Sequence, residues 1–152
     1  MRALIFLILS CLAVPVCKAQ EIEVDVQGVK IKIPDVEVRN QDGQDVRFYS
    51  DLIKDKVVVL NFFYANCTYV CARQGKVFSD LQSLLGERLG KSVFLISVST
   101  DPLNDNPQQL KAWGARYKLQ PGWTLVTGDE AEMPALHEVD NDKAFQAGRP
   151  GA

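Results

Sequence analysis

The stretch Val57-Val-Val-Leu-Asn-Phe-Phe-Tyr64 runs directly into Ala65-Asn-Cys67-Thr-Tyr-Val-Cys71, and this junction decides the fold. The first part is continuous, β-branched and aromatic, which is typical of a strand buried in a parallel sheet. The residues after Cys71 carry apolar side chains at helical spacing. The junction therefore predicts a strand followed by a helix, with two cysteines between them.

The two cysteines predict redox or metal chemistry at this junction. If Cys67 and Cys71 both occupy the first helical turn, their spacing of four puts both sulfurs on one face. A helix N-terminus favours anions, and thus thiolates over thiols. Thiolates bind soft metals such as Cu(I) and also exchange disulfides. Helical Cα atoms four residues apart are about 6 Å apart, which also permits a disulfide.

The N-terminus is interpreted as an export signal. Arg2 precedes an apolar run over residues 3–16, which is too short to span a bilayer and fits a signal peptide. Cleavage after Ala19 is expected. A lipoprotein, acylated on Cys11 or Cys17, is the alternative.

Removal of residues 1–19 leaves one predicted domain, residues 20–152. Its 15 basic and 19 acidic residues give a net charge of −4, with no basic stripe that would suggest nucleic acid. Nothing after the signal is apolar enough to cross a membrane. Cys67 and Cys71 are the remaining cysteines, and a disulfide between them would close too small a loop to stabilise a domain. A reactive or metal-binding pair is therefore favoured over a structural bridge.

Strands and helices alternate along the rest of the chain. Residues 22–33 predict a hairpin, and extended pieces at 35–38 and 46–48 complete an N-terminal appendix. Two further strands are predicted at 93–98 and 123–126. Helix-capping signals occur at Asn106-Pro107 and at Asp129. The alternation predicts an α/β fold with a parallel sheet and right-handed crossovers. The stripe expected on the first helix contains Val70, Val77, Leu81, Leu84, Leu85 and Leu89.

Several segments of the chain together resemble the Sco/SenC family of thioredoxin-fold proteins. They are Asp35-Val-Glu-Val38, Gln41-Asp-Gly43, Phe63-Tyr-Ala-Asn-Cys67-x-x-x-Cys71, Asp101-Pro102 with Asp105-x-Pro107, and Gly122-Trp-Thr-Leu-Val-Thr-Gly128. The resemblance implies a thioredoxin-like fold and a copper site with Cys67 and Cys71 as ligands. It also implies a metallochaperone that helps to assemble the binuclear copper centre of cytochrome c oxidase.

The expected function is therefore copper binding in the periplasm, close to the membrane. The partner is a copper-site subunit of cytochrome c oxidase, or another periplasmic thiol or copper protein. The alternative is a thiol–disulfide oxidoreductase that reduces the cysteines of such a partner. In that case Cys67 attacks and Cys71 resolves the mixed disulfide.

The chain departs from the family's pattern in two places. Ala72 stands where the family usually has proline, and the family's third copper ligand, a histidine near a C-terminal hairpin, has no counterpart. The only histidine, His137, lies in helical sequence and is interpreted as an ordinary helix side chain. The family keeps Asp101 and Asp105, which could shape the surface near the cysteines, but the simpler expectation is that they form a turn and a cap ahead of Pro107.

The sequence after Val139 lacks an element that the expected fold requires. A thioredoxin-type sheet places an antiparallel hairpin beside the strand that precedes the cysteines, and nothing after Val139 resembles one. We therefore expect residues 57–63 to form an exposed edge, and the sequence to stop before its fold does.

Overall fold

The computed structural model describes residues 21–26 and 29–136. Its strands are β1 (Glu21–Val26), β2 (Val29–Pro34), β3 (Glu37–Asn40), β4 (Asp45–Arg47), β5 (Val57–Phe63), β6 (Val93–Ser99) and β7 (Trp123–Thr127). Its α-helices are α1 (Val70–Leu85) and α2 (Pro107–Arg116). A π-helical turn spans Phe48–Ile53, and a 3-10 turn spans Gly86–Arg88. The predicted signal segment, His137 and the tail after it lie outside the described residues.

The main sheet has five strands in the order β4-β3-β7-β6-β5. β5, β6 and β7 are parallel, as predicted, and β3 pairs antiparallel with both β7 and β4. β1 and β2 form a separate hairpin, so the predicted N-terminal appendix is right for them and wrong for β3 and β4. The reason lies in the turn after β3, where Gln41 binds β7. Its backbone N–H donates to the carbonyl of Leu125 at 3.1 Å, and its Oε1 accepts the Leu125 N–H at 2.9 Å.

The sheet buries a different core on each face. α1 and α2 cover one face, where Phe63, Trp113 and Trp123 pack together, with the Phe63 and Trp113 rings 4.3 Å apart. Both tryptophans are fully buried. Phe48 and Met133 cover the opposite face. β5-α1-β6 and β6-α2-β7 are both crossovers between parallel strands, so α1 and α2 lie on the same face of the sheet. The cysteines follow β5 in the chain and therefore lie at its carboxyl end.

The apolar stripe predicted for α1 is half right, since Leu81, Leu85 and Leu89 pack against the core. Three of its members are exposed: Val70 by 59%, Val77 by 56% and Leu84 by 84%. The buried positions are instead Cys71, Gly75, Phe78 and Gln82. Two close contacts fix this phase: Gly75 lies against the ring of Tyr117, and the Gln82 side chain bonds to the backbone of residues 117, 118 and 120.

The two predicted helix starts are found, with one difference. Asn106 caps α2 by accepting the Gln109 N–H at 3.1 Å, and Pro107 occupies the first turn. At the second start the backbone carbonyl of Asp129 accepts the N–H groups of Glu132 and Met133, and residues 133–136 are helical. The Glu132 carboxylate does not complete a capping box. It accepts the N–H of Glu37 at 3.2 Å and so joins this helix to β3.

β5 is an edge strand within the part of the chain that the structure describes. It pairs with β6 along its whole length, and no described strand lies on its other side. Val57 is 63% exposed, and residues 58–62 are half-buried. The expected apolar edge is therefore confirmed for these residues.

Candidate thiol site

The two cysteines occupy different structural positions. Cys71 is the second residue of α1, whereas Cys67 lies in the turn before the helix, where its N–H donates to the carbonyl of Tyr64 at 3.1 Å. The expectation that both lie in the first helical turn is therefore wrong for Cys67. The helix begins only at Val70, so helical spacing does not explain how the sulfurs meet.

A hydrogen bond brings the cysteines together instead. The backbone N–H of Cys71 donates to Sγ of Cys67 at 3.2 Å. The first amides of a helix have no intrahelical partner, and the N-cap residue, Tyr69, makes no side-chain cap bond among the described residues. The Cys67 sulfur thus acts as a cap for α1. A thiolate accepts such a bond better than a thiol, so the helix start favours the ionised form of Cys67.

The two thiols differ strongly in acidity. The pKa of Cys67 is lowered from 9.0 to about 7, first by the hydrogen bond from the Cys71 side chain and then, against the effect of burial, by the Cys71 amide and the Tyr64 hydroxyl. The pKa of Cys71 is raised to about 11, first by burial and then by donation of its thiol proton to Cys67. Near pH 7, Cys67 is therefore about half ionised, whereas Cys71 keeps its proton.

Accessibility follows the same order. Cys67 is half-buried, whereas Cys71 is only 5% exposed and packs among the core residues under α1. Because Cys67 is both the more ionised and the more accessible sulfur, it is the nucleophile of the pair and the first sulfur that a metal ion or a partner reaches. The attacking role of Cys67 in disulfide exchange stays a prediction.

The loop after β6 holds the backbone that leads to Cys67. The carbonyl of Phe63 accepts the Thr100 N–H at 2.7 Å, and the Ala65 N–H donates to Oδ2 of Asp105 at 2.9 Å. Ser99 Oγ donates to the same carboxylate oxygen at 2.6 Å. Asp105 is fully buried, and its pKa is raised by that burial, although the bonds from Ser99 and Ala65 oppose the shift.

The sequence favoured a turn or capping role for Asp105 over a role near the cysteines. Asn106 is the residue that caps α2, while Asp105 joins the loop after β6 to the cysteine segment. The available signal was an aspartate shortly after a buried strand that neighbours the strand leading to the cysteines. Asp101 does form the predicted turn, because its carbonyl accepts the N–H groups of Asn104 and Asp105.

The donor set for a metal ion consists of the two sulfurs. In residues 21–26 and 29–136 no group of three or more His, Cys, Asp or Glu side chains is placed to hold a metal ion. A pair of thiolates suits a soft monovalent ion such as Cu(I), which accepts few ligands, better than Cu(II). The residues thus fit copper in its reduced state. His137 lies outside the described residues, so its interpretation stays a prediction.

Residues 27–141 match the SCO1/SenC family model. This chain belongs to the SCO1/SenC family. It is 34% identical over 127 residues to the SCO1 protein homolog of Bacillus subtilis (strain 168), a match that covers 82% of this chain and 60% of that protein.

Solved Sco structures share the fold. A SCO1/SenC family lipoprotein from Bacillus anthracis aligns with a TM-score of 0.61 and 32% identity over 73% of this chain and 63% of its own. ScoI of Bradyrhizobium japonicum with copper bound aligns with a TM-score of 0.60 and 25% identity, over 69% of this chain and 64% of its own. The fold is thus the predicted thioredoxin-like α/β type, and the chain spans less than two thirds of these relatives' lengths. No helix in the described part of this Sco chain is long and apolar enough to cross a membrane.

Proposed function

We propose that this Sco protein binds one Cu(I) ion between Cys67 and Cys71 and passes it to a copper-site subunit of cytochrome c oxidase. The observation that carries the proposal is the contact between the cysteines, in which the helix start and the Cys71 thiol both donate to a half-exposed Cys67 sulfur. Two relations support it: the family is one of cytochrome c oxidase assembly proteins, and the Bradyrhizobium relative contains copper.

The order of ligand binding follows from the acidities. Cys67 is the more acidic thiol, about half ionised near pH 7, and it is accessible, so it takes the ion first. Cys71 must release its proton to become the second ligand, and this release couples copper binding to pH. In delivery, an acceptor's ligand reaches the ion most readily from the exposed side of Cys67.

A Cu(I) titration of the reduced protein, residues 20–152, against a competing chelator tests the proposal. We expect one equivalent to bind tightly to the wild-type protein and not to the Cys67→Ser/Cys71→Ser variant. Equal affinity of the two proteins would overturn the site. His137→Ala should bind almost as tightly as wild type, and a tenfold loss, about 1.4 kcal/mol, would make His137 a ligand.

The second candidate function, thiol–disulfide exchange, is favoured by the separation of the two thiol pKa values. The Cys67 thiolate attacks a partner disulfide and forms a mixed disulfide, releasing one partner thiolate. Cys71, once deprotonated, then attacks the Cys67 sulfur, so that the partner leaves as a dithiol and a Cys67–Cys71 disulfide remains. Two electrons pass to the partner, and an external thiol reductant must restore the pair.

Trapping distinguishes this chemistry from copper delivery. Cys71→Ser should accumulate the mixed disulfide with a disulfide-containing peptide, because the resolving thiol is absent, and Cys67→Ser should not. A wild-type protein that transfers Cu(I) to an oxidase copper domain, but leaves the disulfide of that domain unreduced, would support delivery alone.

The proposed location is the periplasm, at the outer face of the inner membrane. The support is the apolar run at residues 3–16, together with a Bacillus anthracis relative that is a lipoprotein. Intact mass of the exported protein should place its first residue near Gln20. A lipidated mass beginning at Cys17 would support the lipoprotein alternative, and retention of Met1 would contradict export.

A further inference from the structure

A polar cleft opens on the far side of Asp105 from the cysteine segment. It lies where β6 and β7 end and α2 begins, and it has a volume of about 150 Å³. That is room for a small polar head group and a few water molecules. The residues that matter for its chemistry are Arg39, Asp45, Asp105, Thr127 and Asp129.

Two residues that line this cleft each have a buried polar atom with no hydrogen-bond partner in the described part of the chain. These atoms are Oδ1 of Asp105 and Oγ1 of Thr127, in residues that are 0% and 5% exposed. Buried polar groups in native proteins are almost always paired, so unpartnered ones at a cavity indicate where a ligand binds. A carboxylate oxygen only accepts hydrogen bonds, which means that the ligand must donate them.

The charge of the cleft points to a cation. Among the described residues that line the cleft, Arg39 is the one basic side chain. Its Nε is held by Asp45 at 2.7 Å, and Asp129 and Glu37 lie near enough to attract it, so one guanidinium faces four carboxyl groups. Asp105 and Asp129 therefore leave an excess of negative charge. Because no described group of three or more His, Cys, Asp or Glu side chains is placed for a metal ion, a cation with N–H donors fits better than a metal.

We propose that the cleft binds a primary alkylammonium group, which donates to Oδ1 of Asp105 and Oγ1 of Thr127 while Asp129 contributes its charge. An ammonium is compact, has three donors and carries no acceptor, which matches this lining. A free amine and the side chain of a lysine residue present the same head group. The proposal does not depend on copper, since the cleft contains neither cysteine.

Asp105 connects the cleft to the thiol site. Its Oδ2 accepts the Ala65 N–H and the Ser99 hydroxyl, while its Oδ1 has no partner in the described part of the chain. A cation at Oδ1 withdraws charge from the carboxylate that holds Ala65, two residues before Cys67. Amine binding should therefore be detected at Ala65 as well as at the cleft, and any effect of amine on Cu(I) affinity must be reciprocal.

The test is an NMR titration of the reduced wild-type protein with methylammonium chloride, with tetramethylammonium chloride as the matched control. We expect saturable shifts of the Ala65, Asn106 and Gly128 amides with methylammonium, and none with tetramethylammonium, which has the charge but no N–H donor. Equal shifts with both salts, or no saturation at these amides, would overturn the proposal.

Two variants distinguish binding in the cleft from a nonspecific effect of negative charge on the protein surface. Asp129→Asn, on the exposed rim, should weaken methylammonium binding several-fold, and Thr127→Val should weaken it about tenfold by removing a bond to a charged donor. Asp42→Asn, an exposed carboxylate that pairs with Lys111 outside the cleft, should leave binding unchanged. A larger effect of Asp42→Asn than of Asp129→Asn would refute the assignment.

A lysine-containing peptide distinguishes the two sources of the head group. If Nα-acetyl-lysine methylamide, whose side-chain ammonium is free, binds at least tenfold more tightly than methylammonium, the occupant is a lysine side chain of a protein partner. Equal affinities identify a free amine. Both results require the same shifted amides, and binding of either compound elsewhere would reject the cleft.

Discussion

The acidity of Cys67 should depend on its neighbour. Replacing Cys71 by alanine removes the side-chain donor that contributes most to the lowered pKa of Cys67, but keeps the backbone N–H bond at 3.2 Å. A hydrogen bond to a charged group contributes about 1.5–3 kcal/mol, and one pKa unit corresponds to about 1.4 kcal/mol. The pKa of Cys67 should therefore rise from about 7 by roughly one to two units in Cys71→Ala, toward its ordinary value of 9.0.

The rate of alkylation by iodoacetamide between pH 5 and pH 10, followed by intact mass, measures this pKa. In the wild-type protein Cys67 should reach half its maximal rate near pH 7, where Cys71, with a pKa of about 11, is ionised to roughly one part in ten thousand. A Cys67→Ala variant should accordingly react very slowly at pH 7. An unchanged midpoint in Cys71→Ala, or a Cys71 that reacts as fast as Cys67, would refute the hydrogen-bond explanation.

Three stability predictions concern the scaffold. Gln82→Met removes two hydrogen bonds donated to the carbonyls of residues 117 and 118 and one accepted from the N–H of residue 120. Urea unfolding should show that the free energy of unfolding falls by about 2–4 kcal/mol. The exposed control Gln108→Met should lower it by less than about 0.5 kcal/mol. Gly75→Ala places a Cβ 2.5 Å from the ring of Tyr117, so it should lower stability by about 1–3 kcal/mol even though alanine favours the helix; a rise in Tm would contradict this contact. Burial alone would raise the pKa of Asp35, but hydrogen bonds from Ser50 hold this pKa below 3.8. The ionised Asp35 therefore stabilises the fold above about pH 3.8, and this contribution disappears as the pH falls through the lowered pKa. Asp35→Asn should therefore be less stable at pH 7 and lose less on acidification, and parallel pH–stability curves for the two proteins would exclude that role.

The sequence predicted the parts of the fold that are encoded locally. β5, β6 and β7 are continuous apolar runs, and Asn106-Pro107 is a local helix start, so each could be identified without knowledge of the tertiary structure. The π-helical turn Phe48–Ile53 was not predicted because its stabilising partner is distant. The carboxylate of Asp35 accepts the N–H groups of Tyr49 and Ser50, 14 and 15 residues later in the chain.

The thiol site was predictable in its residues but not in its geometry. A cysteine pair after a buried strand indicates the chemistry, whereas the separation of the two pKa values depends on Cys67 lying outside α1 and Cys71 inside it. Half of the α1 stripe was misassigned for a related reason. Its phase is set by Gly75 against Tyr117, a contact between residues that are far apart in sequence. Asp105 was undervalued because only the tertiary structure brings it to Ala65.

The one-sided pairing of β5 has a consequence for how the thiol segment moves. Most of the restraint on this strand comes from β6, and the residues beyond it depend on Thr100 and Asp105. A strand that pairs along one side only, as β5 does among the described residues, opens more often than one in the middle of a sheet. Amide hydrogens of β5 should therefore exchange with solvent faster than those of β6. Transient separation of β5 would carry Cys67 away from the amide of Cys71, and so briefly interrupt the bond that keeps its sulfur ionised.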